Sequence, residues 1–305
     1  MDPTAGLSSK QGRVGLATEQ EGLLLRNTMH FRVKSDVFLP AGGRPAAINA
    51  HNWKQFLDAE GKPSSPIIVE GANLFLTAPA RKHLSLEAGC MIVKDSSANK
   101  CGVITSSYEV LGGMILSPEQ FLLVKEEYVA KVLERLRYLA KLEADMLMRE
   151  WRSGRAKVLP ETCIALSHAM LRLADKMDEF QQKRAVDPDL LRFVASLLPM
   201  QPLMRGLGFA TPSNEGEILQ VLEEKLPPAY LRGLISKVVA SECVYREGMT
   251  YFSEASKAVE YIKAVHTVDK LAGALQTKQE PLAAQLLRAA GARALVENGS
   301  KFTIN

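Results

Sequence analysis

Three segments in the first part of the chain combine small residues with amides and hydroxyls, which are groups suited to holding a polar ligand. They are residues 36–45 (DVFLPAGGRP), 69–77 (VEGANLFLT) and 94–109 (KDSSANKCGVITSSYE). Small residues let the backbone approach a flat ligand closely and leave N–H donors unhindered. Asn73 and Asn99 carry amides that both donate and accept hydrogen bonds, as a ring bearing a carboxamide requires. The segments therefore predict a binding site for a flat, amide-bearing ligand.

Hydroxyl groups add a second binding capacity. Ser106 and Ser107 lie near the start of a predicted helix, where a hydroxyl and the positive helix end suit a substrate carboxylate. A purely structural interpretation stays open beside this one: Asn73 lies in a turn, Thr77 caps a helix, and Gly71 supplies a positive φ. Three such segments at one sheet edge favour a binding site over three unrelated turns.

Each segment begins in, or directly follows, a short apolar run that is rich in β-branched or aromatic residues and too short for a helix. Such runs are typical of buried parallel strands. Helices are predicted between them, over residues 49–58 and over residues 80–88, and Leu23–Leu25 and Val33 are expected to be remnants of the same sheet. This alternation predicts a parallel α/β sheet, whose ligands bind at the carboxyl ends of the strands. The predicted strands are residues 36–40, 66–71 and 90–93.

After Gly113 the strand signals stop. Ser117-Pro-Glu-Gln120 has the pattern of a capping box with proline at the first helical position, and it predicts a helix that runs to Gly154. Proline and glycine interrupt the tail too often for a coiled coil, so a packed bundle is expected. The predicted fold class is thus α/β followed by all-α, with a first domain over residues 1–113 and a helical domain over residues 114–305. Further helices are predicted to start at Pro160, at Asp187-Pro188 and at Pro228, with residues 199–212 as an irregular link and a helical end near Asn298.

Composition excludes several functions. The 305 residues are 47% hydrophobic and 24% charged, and the net charge of +4 is spread among interleaved acidic and basic residues, so no nucleic-acid partner is expected. The four cysteines form no C-x-x-C pair, so neither a disulfide framework nor a metal site is predicted. No apolar run is long enough for a membrane span, and the start lacks a signal peptide. We expect a soluble protein of the cytoplasm, or of the mitochondrial matrix in a eukaryote.

The second and third segments resemble the glutamate dehydrogenase patterns E-G-A-N-x-x-x-T and N-x-x-G-V-x-x-S. The sequence of residues 68–81 (IVEGANLFLTAPAR), with FLPAGGRP upstream, is similar to that of the large NAD-dependent members of the Glu/Leu/Phe/Val dehydrogenase superfamily. The match covers about the first third of the chain, and the helical tail matches only in kind. The resemblance implies a carboxy-terminal portion of such an enzyme, with the second half of a Rossmann-like domain followed by a C-terminal helical bundle.

The resemblance also implies an activity and a set of binding residues. The activity is the oxidative deamination of L-glutamate to 2-oxoglutarate and ammonium, with NAD as cofactor. Asn73 would approach the nicotinamide, Ser106 would bind the side-chain carboxylate of glutamate, and Asn99 would hold the turn that presents Ser106. The predicted cofactor-binding residues are Pro40, Ala41, Gly42, Gly43, Gly71, Ala72 and Asn73, and the predicted substrate-binding residues are Asn99 and Ser106.

Two family features have no counterpart in these 305 residues. Nothing matches G-x-G-x-x-G followed by an acidic residue, since Gly206-Leu-Gly208 lacks the third glycine and a preceding strand. The Lys and Asp that the family uses for proton transfer are also missing, so no catalytic residue is assigned. Cys101 stands where the common pattern has a small residue, and a role as a small buried apolar residue is favoured for it over a redox role.

We therefore expect a portion of a dehydrogenase that is inactive by itself. Its expected partner is a complementing N-terminal catalytic segment or further copies of itself in a homo-oligomer. The alternative is a non-catalytic module, in which the helical tail mediates assembly or regulation, or one subunit of a split dehydrogenase.

Overall fold

The computed structural model describes residues 7–8, 14–15, 18–277, 281–285 and 287–288. The chain divides into two compact units. The first comprises Met1–Lys100 and Glu150–Cys163, and the second comprises Cys101–Arg149 and Ile164–Asn305.

The first unit contains a small parallel sheet. Its strands are β3 (Val37–Phe38), β4 (Ile67–Val69) and β5 (Met91–Val93), in the order β3-β4-β5, with Val37 paired to Ile67 and Ile68 paired to Ile92. The parallel arrangement predicted from the three apolar runs is confirmed, although each strand is shorter than its run. An antiparallel pair, β1 (Leu7–Ser8) and β2 (Val14–Gly15), precedes this sheet.

The core of the first unit lies on one face of this sheet. Ile68 and Ile92 are completely buried there, against Phe56 and against helix α2 (Ala78–Leu86). The hydroxyl of Thr77 caps α2 by accepting from the Ala80 N–H at 3.4 Å, as its position predicts. The loop after β4 is thus held between a buried strand and a capped helix.

The helix predicted over residues 49–58 is wrong, because only Trp53–Phe56 forms a short 3-10 helix there. The Asn49 N–H donates to Asn52 Oδ1 at 2.7 Å, and Asn52 Nδ2 donates to the Ala47 carbonyl at 2.9 Å. Asparagine side chains that bind nearby backbone in this way compete with helical hydrogen bonds. Burial of Trp53 and Phe56 then decides the local conformation.

The proposed sheet remnant at Leu23–Leu25 is also wrong. These residues lie within helix α1 (Glu19–Asn27), which a capping box of Thr18 and Glu21 starts. Val33 belongs to none of the strands.

The remainder of the described chain consists of helices joined by loops. The capping box at Ser117 is confirmed, since the Ser117 N–H donates to Gln120 Oε1 at 2.9 Å and the Gln120 N–H donates back to Ser117 Oγ at 3.3 Å. The helix that follows ends at Arg152, close to the predicted stop at Gly154. The helices are α3 (Asp95–Ala98), α4 (Lys100–Ile115), α5 (Pro118–Arg152), α6 (Leu159–Gln182), α7 (Pro188–Leu197), α8 (Met200–Gly206), α9 (Glu215–Lys225), α10 (Pro228–Glu247) and α11 (Ala255–Thr277).

Within the second unit, α7 packs against α9, α10 and α11, and α10 packs against α9 and α11. The predicted irregular link over residues 199–212 is partly wrong, because α8 occupies its first half. Helix α8 forms because Met200, Leu203 and Met204 bury their side chains, and Pro202 stands in the first turn, where proline is tolerated. The predicted helical end near Asn298 lies outside the described residues.

The described chain is therefore mostly helical with a small three-stranded parallel sheet. Among the described residues, every helix is too short or too polar to cross a bilayer. The finer predictions, a half Rossmann-like domain, a bundle and a division at Gly113, stay predictions.

Candidate functional site

The loops that follow β3 and β4 meet at the carboxyl edge of the sheet. The Ala72 N–H donates to the Pro40 carbonyl oxygen at 2.6 Å, which joins the first two predicted segments. Gly71 does not have the positive φ that the turn interpretation assigned to it. A Cβ atom at Gly71 would lie 3.3 Å from the Pro40 oxygen, so this glycine permits the close approach of the two loops.

Asn73 and Asn99 come together at this edge. Asn99 Nδ2 donates to the Gly71 carbonyl at 3.3 Å and to Asn73 Oδ1 at 2.5 Å. Because a carbonyl only accepts, the Gly71 oxygen determines that Asn99 presents its NH₂ group, and Asn99 in turn requires the oxygen of Asn73. Among the described residues, Asn73 Nδ2 makes no hydrogen bond, and Asn73 is exposed. The pair therefore leaves an amide donor exposed at this edge of the sheet.

The predicted cofactor loop, Pro40–Gly43, lines a cavity of about 820 Å³ in the first unit. Arg26 and Arg44 contribute cationic groups to its lining, and Phe38 and Phe75 contribute aromatic rings. Asn73 is not part of this lining. The loop after β3 therefore has the cavity beside it, and the Pro40–Ala72 hydrogen bond joins it to the loop that carries Asn73.

His30 contributes an imidazole ring to the cavity wall. Its ring stacks on Phe38 at 5.8 Å and meets Phe75 edge-on at 5.5 Å, and its Nε2 atom is buried with no hydrogen-bond partner in the described residues. Burial lowers the pKa of His30. The part of the wall formed by His30, Phe38 and Phe75 is thus neutral and aromatic at physiological pH, a surface suited to a flat ring.

Behind the Asn73 loop lies a buried ion pair. Glu70, which follows β4 directly, is completely buried, and Arg81 on α2 is 6% exposed. Arg81 donates from Nε to Glu70 Oε2 at 2.7 Å and from Nη2 to Glu70 Oε1 at 3.0 Å, and the Leu76 N–H donates to Oε1 at 3.1 Å. The bidentate geometry joins the end of the strand to the start of the helix.

Asp95, which follows β5 by two residues, holds the same loop from the neighbouring strand. Its Oδ2 accepts from the Leu74 N–H at 2.8 Å and lies 3.6 Å from Arg81 Nη2, and its Oδ1 accepts from the Ser96 N–H and from the Lys94 ammonium group. Burial raises the pKa of Asp95, but the hydrogen bonds from Lys94 and Leu74 outweigh it, and the net pKa is lowered. Asp95 is therefore a carboxylate at neutral pH.

Sequence analysis missed this cluster of Glu70, Arg81 and Asp95. A signal was present, because a carboxylate stands directly after a buried strand and an arginine lies on the apolar face of α2 beside Ala80 and Leu84. Charged residues at such positions are buried only when they are paired.

The structure places Ser106 farther from the start of its helix than the sequence pattern predicted. Ser106 and Ser107 are the seventh and eighth residues of α4, beyond the first turn in which the helix dipole acts, and both are exposed. Ser107 Oγ donates to the Val103 carbonyl at 3.4 Å. A hydroxyl at Ser106 stays available for a ligand, but the positive helix end does not support it. Asn99 ends α3 as its C-cap and contacts the Asn73 loop.

In the part of the chain that the structure describes, no group of three His, Cys, Asp or Glu side chains is placed to hold a metal ion. The polar groups at the carboxyl edge are instead amides, backbone groups and a buried carboxylate pair. Groups of this kind are suited to directed hydrogen bonds with an organic ligand.

Comparison with known proteins identifies the class. Residues 7–158 match the family described as Glutamate/Leucine/Phenylalanine/Valine dehydrogenase, and the chain belongs to this family. The resemblance inferred from the sequence segments is confirmed.

The curated relatives that match the chain are glutamate dehydrogenases. The chain is 32% identical over 240 residues to the probable NAD-specific glutamate dehydrogenase of Schizosaccharomyces pombe, covering 74% of this chain and 20% of that protein. It is 32% identical over 248 residues to the NAD-specific glutamate dehydrogenase of Saccharomyces cerevisiae, and 31% identical over 245 residues to glutamate dehydrogenase 2 of Dictyostelium discoideum; each alignment covers 75% of this chain and 22% of the relative. The chain thus spans about a fifth of the length of these relatives. No solved structure matches it.

Proposed function

We propose that this chain supplies the nicotinamide-binding and substrate-carboxylate-binding side of an NAD-dependent glutamate dehydrogenase, which converts L-glutamate to 2-oxoglutarate and ammonium. Family membership and the names of the relatives support the reaction class. In this proposal the three-stranded sheet is the second half of a Rossmann-like domain that ends near Gly113, and a helical bundle follows it.

The observation that carries the proposal is the amide pair of Asn73 and Asn99. Because Asn99 occupies the oxygen of Asn73, the Asn73 NH₂ is directed to a ligand acceptor, and the carbonyl oxygen of a carboxamide is such an acceptor. The geometry therefore supports Asn73 as the residue that orients a nicotinamide ring.

The residues present fit NAD. Asn73 would hold the carboxamide, the Pro40–Gly43 loop would accommodate the flat ring, and the guanidinium groups of Arg26 and Arg44 suit phosphate groups. When bound, NAD supplies an acceptor for the hydride that leaves the substrate. This chain contributes orientation of the ring and, through the exposed Ser106 hydroxyl, a hydrogen bond to a substrate carboxylate.

We further propose that the chain alone turns over negligibly, because its 305 residues contain neither a glycine-rich phosphate loop nor the lysine motif of the family. A complementing segment would supply both. One observation supports such a partner: among the described strands β3 pairs only with β4, so β3 is an edge strand, and an edge strand is where a further strand would add.

The test is a titration of isotope-labelled chain with NADH, in which nuclear magnetic resonance measures the chemical shifts of the backbone amides. We expect shifts at Gly43, Gly71 and Asn73, and we expect Asn73→Ala to weaken binding roughly tenfold, the loss of one oriented hydrogen bond to a ligand. The matched control is Asn52→Ala, an asparagine in the same unit that binds only backbone.

Shifts elsewhere on the chain, or unchanged affinity in Asn73→Ala, would contradict the proposal. Purified chain mixed with L-glutamate and NAD should form no NADH above background. Rapid NADH formation would disprove the inactivity of the isolated chain, while leaving the assignment of Asn73 in place.

A non-catalytic role in assembly is the second candidate, and exposed apolar residues in the second unit favour it. Val103 and Val110 on α4 and Leu122 on α5 are 74%, 47% and 68% exposed. Large exposed apolar side chains grouped on helices are typical of surfaces that meet another protein. Light scattering of wild-type chain and of Leu122→Ser tests this surface, since an assembly surface at Leu122 predicts a smaller particle for the variant, and an unchanged particle would contradict it.

A further inference from the structure

We infer that Glu70, Arg81 and Asp95 are positioning residues, which hold the loop carrying Asn73 in the one conformation that can orient a ligand. This inference rests on the proposed function. We call the three residues the buried brace. None of them reaches the exposed edge of the loop, so their effect on a ligand passes through Asn73.

The buried brace holds the backbone that follows Asn73, and a backbone hydrogen bond holds the residue that precedes it. On the carboxyl side of Asn73, Asp95 accepts from the Leu74 N–H at 2.8 Å and Glu70 accepts from the Leu76 N–H at 3.1 Å. On the amino side, the Ala72 N–H donates to the Pro40 carbonyl at 2.6 Å. The backbone of Asn73 thus lies between anchored neighbours.

Leu74 has an energetically unfavourable backbone conformation, which the rest of the loop must maintain. Its φ is +59°, in the left-handed region where a leucine costs about 1–2 kcal/mol. Its side chain is 60% exposed, so burial of apolar surface does not repay this cost. A strained residue persists only where its surroundings determine its conformation, and such residues cluster at ligand-binding sites.

Stability alone does not explain the buried brace. A buried ion pair is often no more stabilising than well-packed apolar residues of the same volume, because both ions lose their hydration. What the charged groups provide and apolar groups cannot is directed acceptors for two specific loop N–H groups. The geometry therefore points to precision of the loop as their contribution.

Arg81 has the central place in the buried brace. Its Nη2 lies 3.0 Å from Glu70 Oε1 and 3.6 Å from Asp95 Oδ2, so one guanidinium group joins the residues that follow two different strands. A lysine retains the positive charge but offers a single nitrogen, and it cannot reproduce the bidentate contact. Arg81→Lys should consequently loosen the loop while it keeps the buried charge compensated.

The test compares wild-type chain with Arg81→Lys in two measurements, using NADH as the probe. Amide hydrogen exchange should accelerate at Leu74 and Leu76 and stay unchanged at Ile68 and Ile92 in the core strands. The dissociation constant for NADH should rise roughly tenfold or more, since a small displacement of an orienting group is costly. Lys82→Gln is the matched control, because Lys82 is the exposed neighbour of Arg81 on α2, and it should change neither quantity.

If Arg81→Lys does not fold, Asp95→Asn takes its place, because it is isosteric and keeps one acceptor for the Leu74 N–H. Wild-type chain that binds NADH, together with folded variants that bind it equally well, overturns the inference and leaves the proposed function intact. Faster exchange at Ile68 and Ile92 as well as in the loop also overturns it, because the residues would then be merely structural. Wild-type chain that does not bind NADH overturns the proposed function, and the inference falls with it.

Discussion

Gly43 lies where the loop after β3 turns back against Phe75, and two constraints act on it at once. Its φ is +121°, and a Cβ atom would lie 2.9 Å from Phe75 Cε2. Both the backbone conformation and the close contact require glycine. Gly42, its neighbour in the predicted cofactor loop, has no atom within 4 Å of an added Cβ and no positive φ.

We expect Gly43→Ala to lower the free energy of unfolding of the first unit by about 2 kcal/mol, from backbone strain together with displacement of the Phe75 ring. Urea unfolding followed by tryptophan fluorescence measures this, because Trp53 and Trp151 both belong to the first unit. Gly42→Ala is the control and should stay within about 0.5 kcal/mol of wild type. Equal effects of the two substitutions would contradict the assigned role of Gly43.

Residue types alone predicted which amides lie in the loops, but not how they are oriented. Asn73 and Asn99 are 26 positions apart, and only the fold brings them into contact. The free NH₂ of Asn73 depends on the Gly71 carbonyl that directs Asn99. No local pattern contains that information, because hydrogen-bond partners at this separation are decided by strand order.

Among the helices, α5 and α10 are joined by a buried carboxylate. Glu242 on α10 is completely buried, and it accepts from Arg135 Nη2 on α5 at 2.8 Å and from Arg246 Nε at 3.2 Å. Tyr138 on α5 also lies within 3.5 Å. One acidic side chain thus pairs with two arginines from two helices.

We expect Glu242→Ala to destabilise the second unit by about 3–5 kcal/mol, because it leaves buried arginine charge uncompensated. Urea unfolding followed by far-ultraviolet circular dichroism reports on these helices. Glu134→Ala provides the comparison, since Glu134 pairs with Lys131 on the surface of α5, and it should cost no more than about 1 kcal/mol. A loss at Glu242 as small as that at Glu134 would show that the buried network contributes little.

Helix ends were more predictable than helix interiors. The caps at Thr77 and Ser117 act over three residues, so their sequence patterns contain the whole interaction. The helix predicted over residues 49–58 does not form, because asparagine side chains there hydrogen-bond to the local backbone. Trp53 and Phe56 also pack against apolar residues that are distant in sequence. Local signals predict well where the deciding contacts are local.

Across the whole molecule, none of the four cysteines forms a disulfide, and the four differ chiefly in burial. Cys90, Cys163 and Cys243 are completely buried, whereas Cys101 is partly exposed. Burial raises the pKa of Cys90 to about 12 and raises the pKa of Cys243 well above its usual range. Since the thiolate is the reactive form, these buried thiols are unreactive in the folded chain at neutral pH.

We expect a thiol-specific disulfide reagent at neutral pH to modify Cys101 first, with the other three reacting on the order of a hundredfold more slowly. Absorbance of the released thiolate and mass spectrometry of the peptides measure the order. In urea all four should react together. The variant Cys101→Ser should lack the fast phase, and a fast phase that persists in it would show that a buried cysteine becomes accessible in the native chain.

Sequence by itself determined the family, the three parallel strands, the capped helix ends and the small residues of the loops, because each depends on neighbours a few positions away or on a continuous pattern. Tertiary structure alone decided the contents of the site. It paired Asn73 with Asn99, placed Glu70, Arg81 and Asp95 behind them, and put Leu74 in a left-handed conformation. The physical reason is that a buried charge or a strained backbone is tolerated only when partners from other elements supply its hydrogen bonds, and those partners are chosen by the order of the strands.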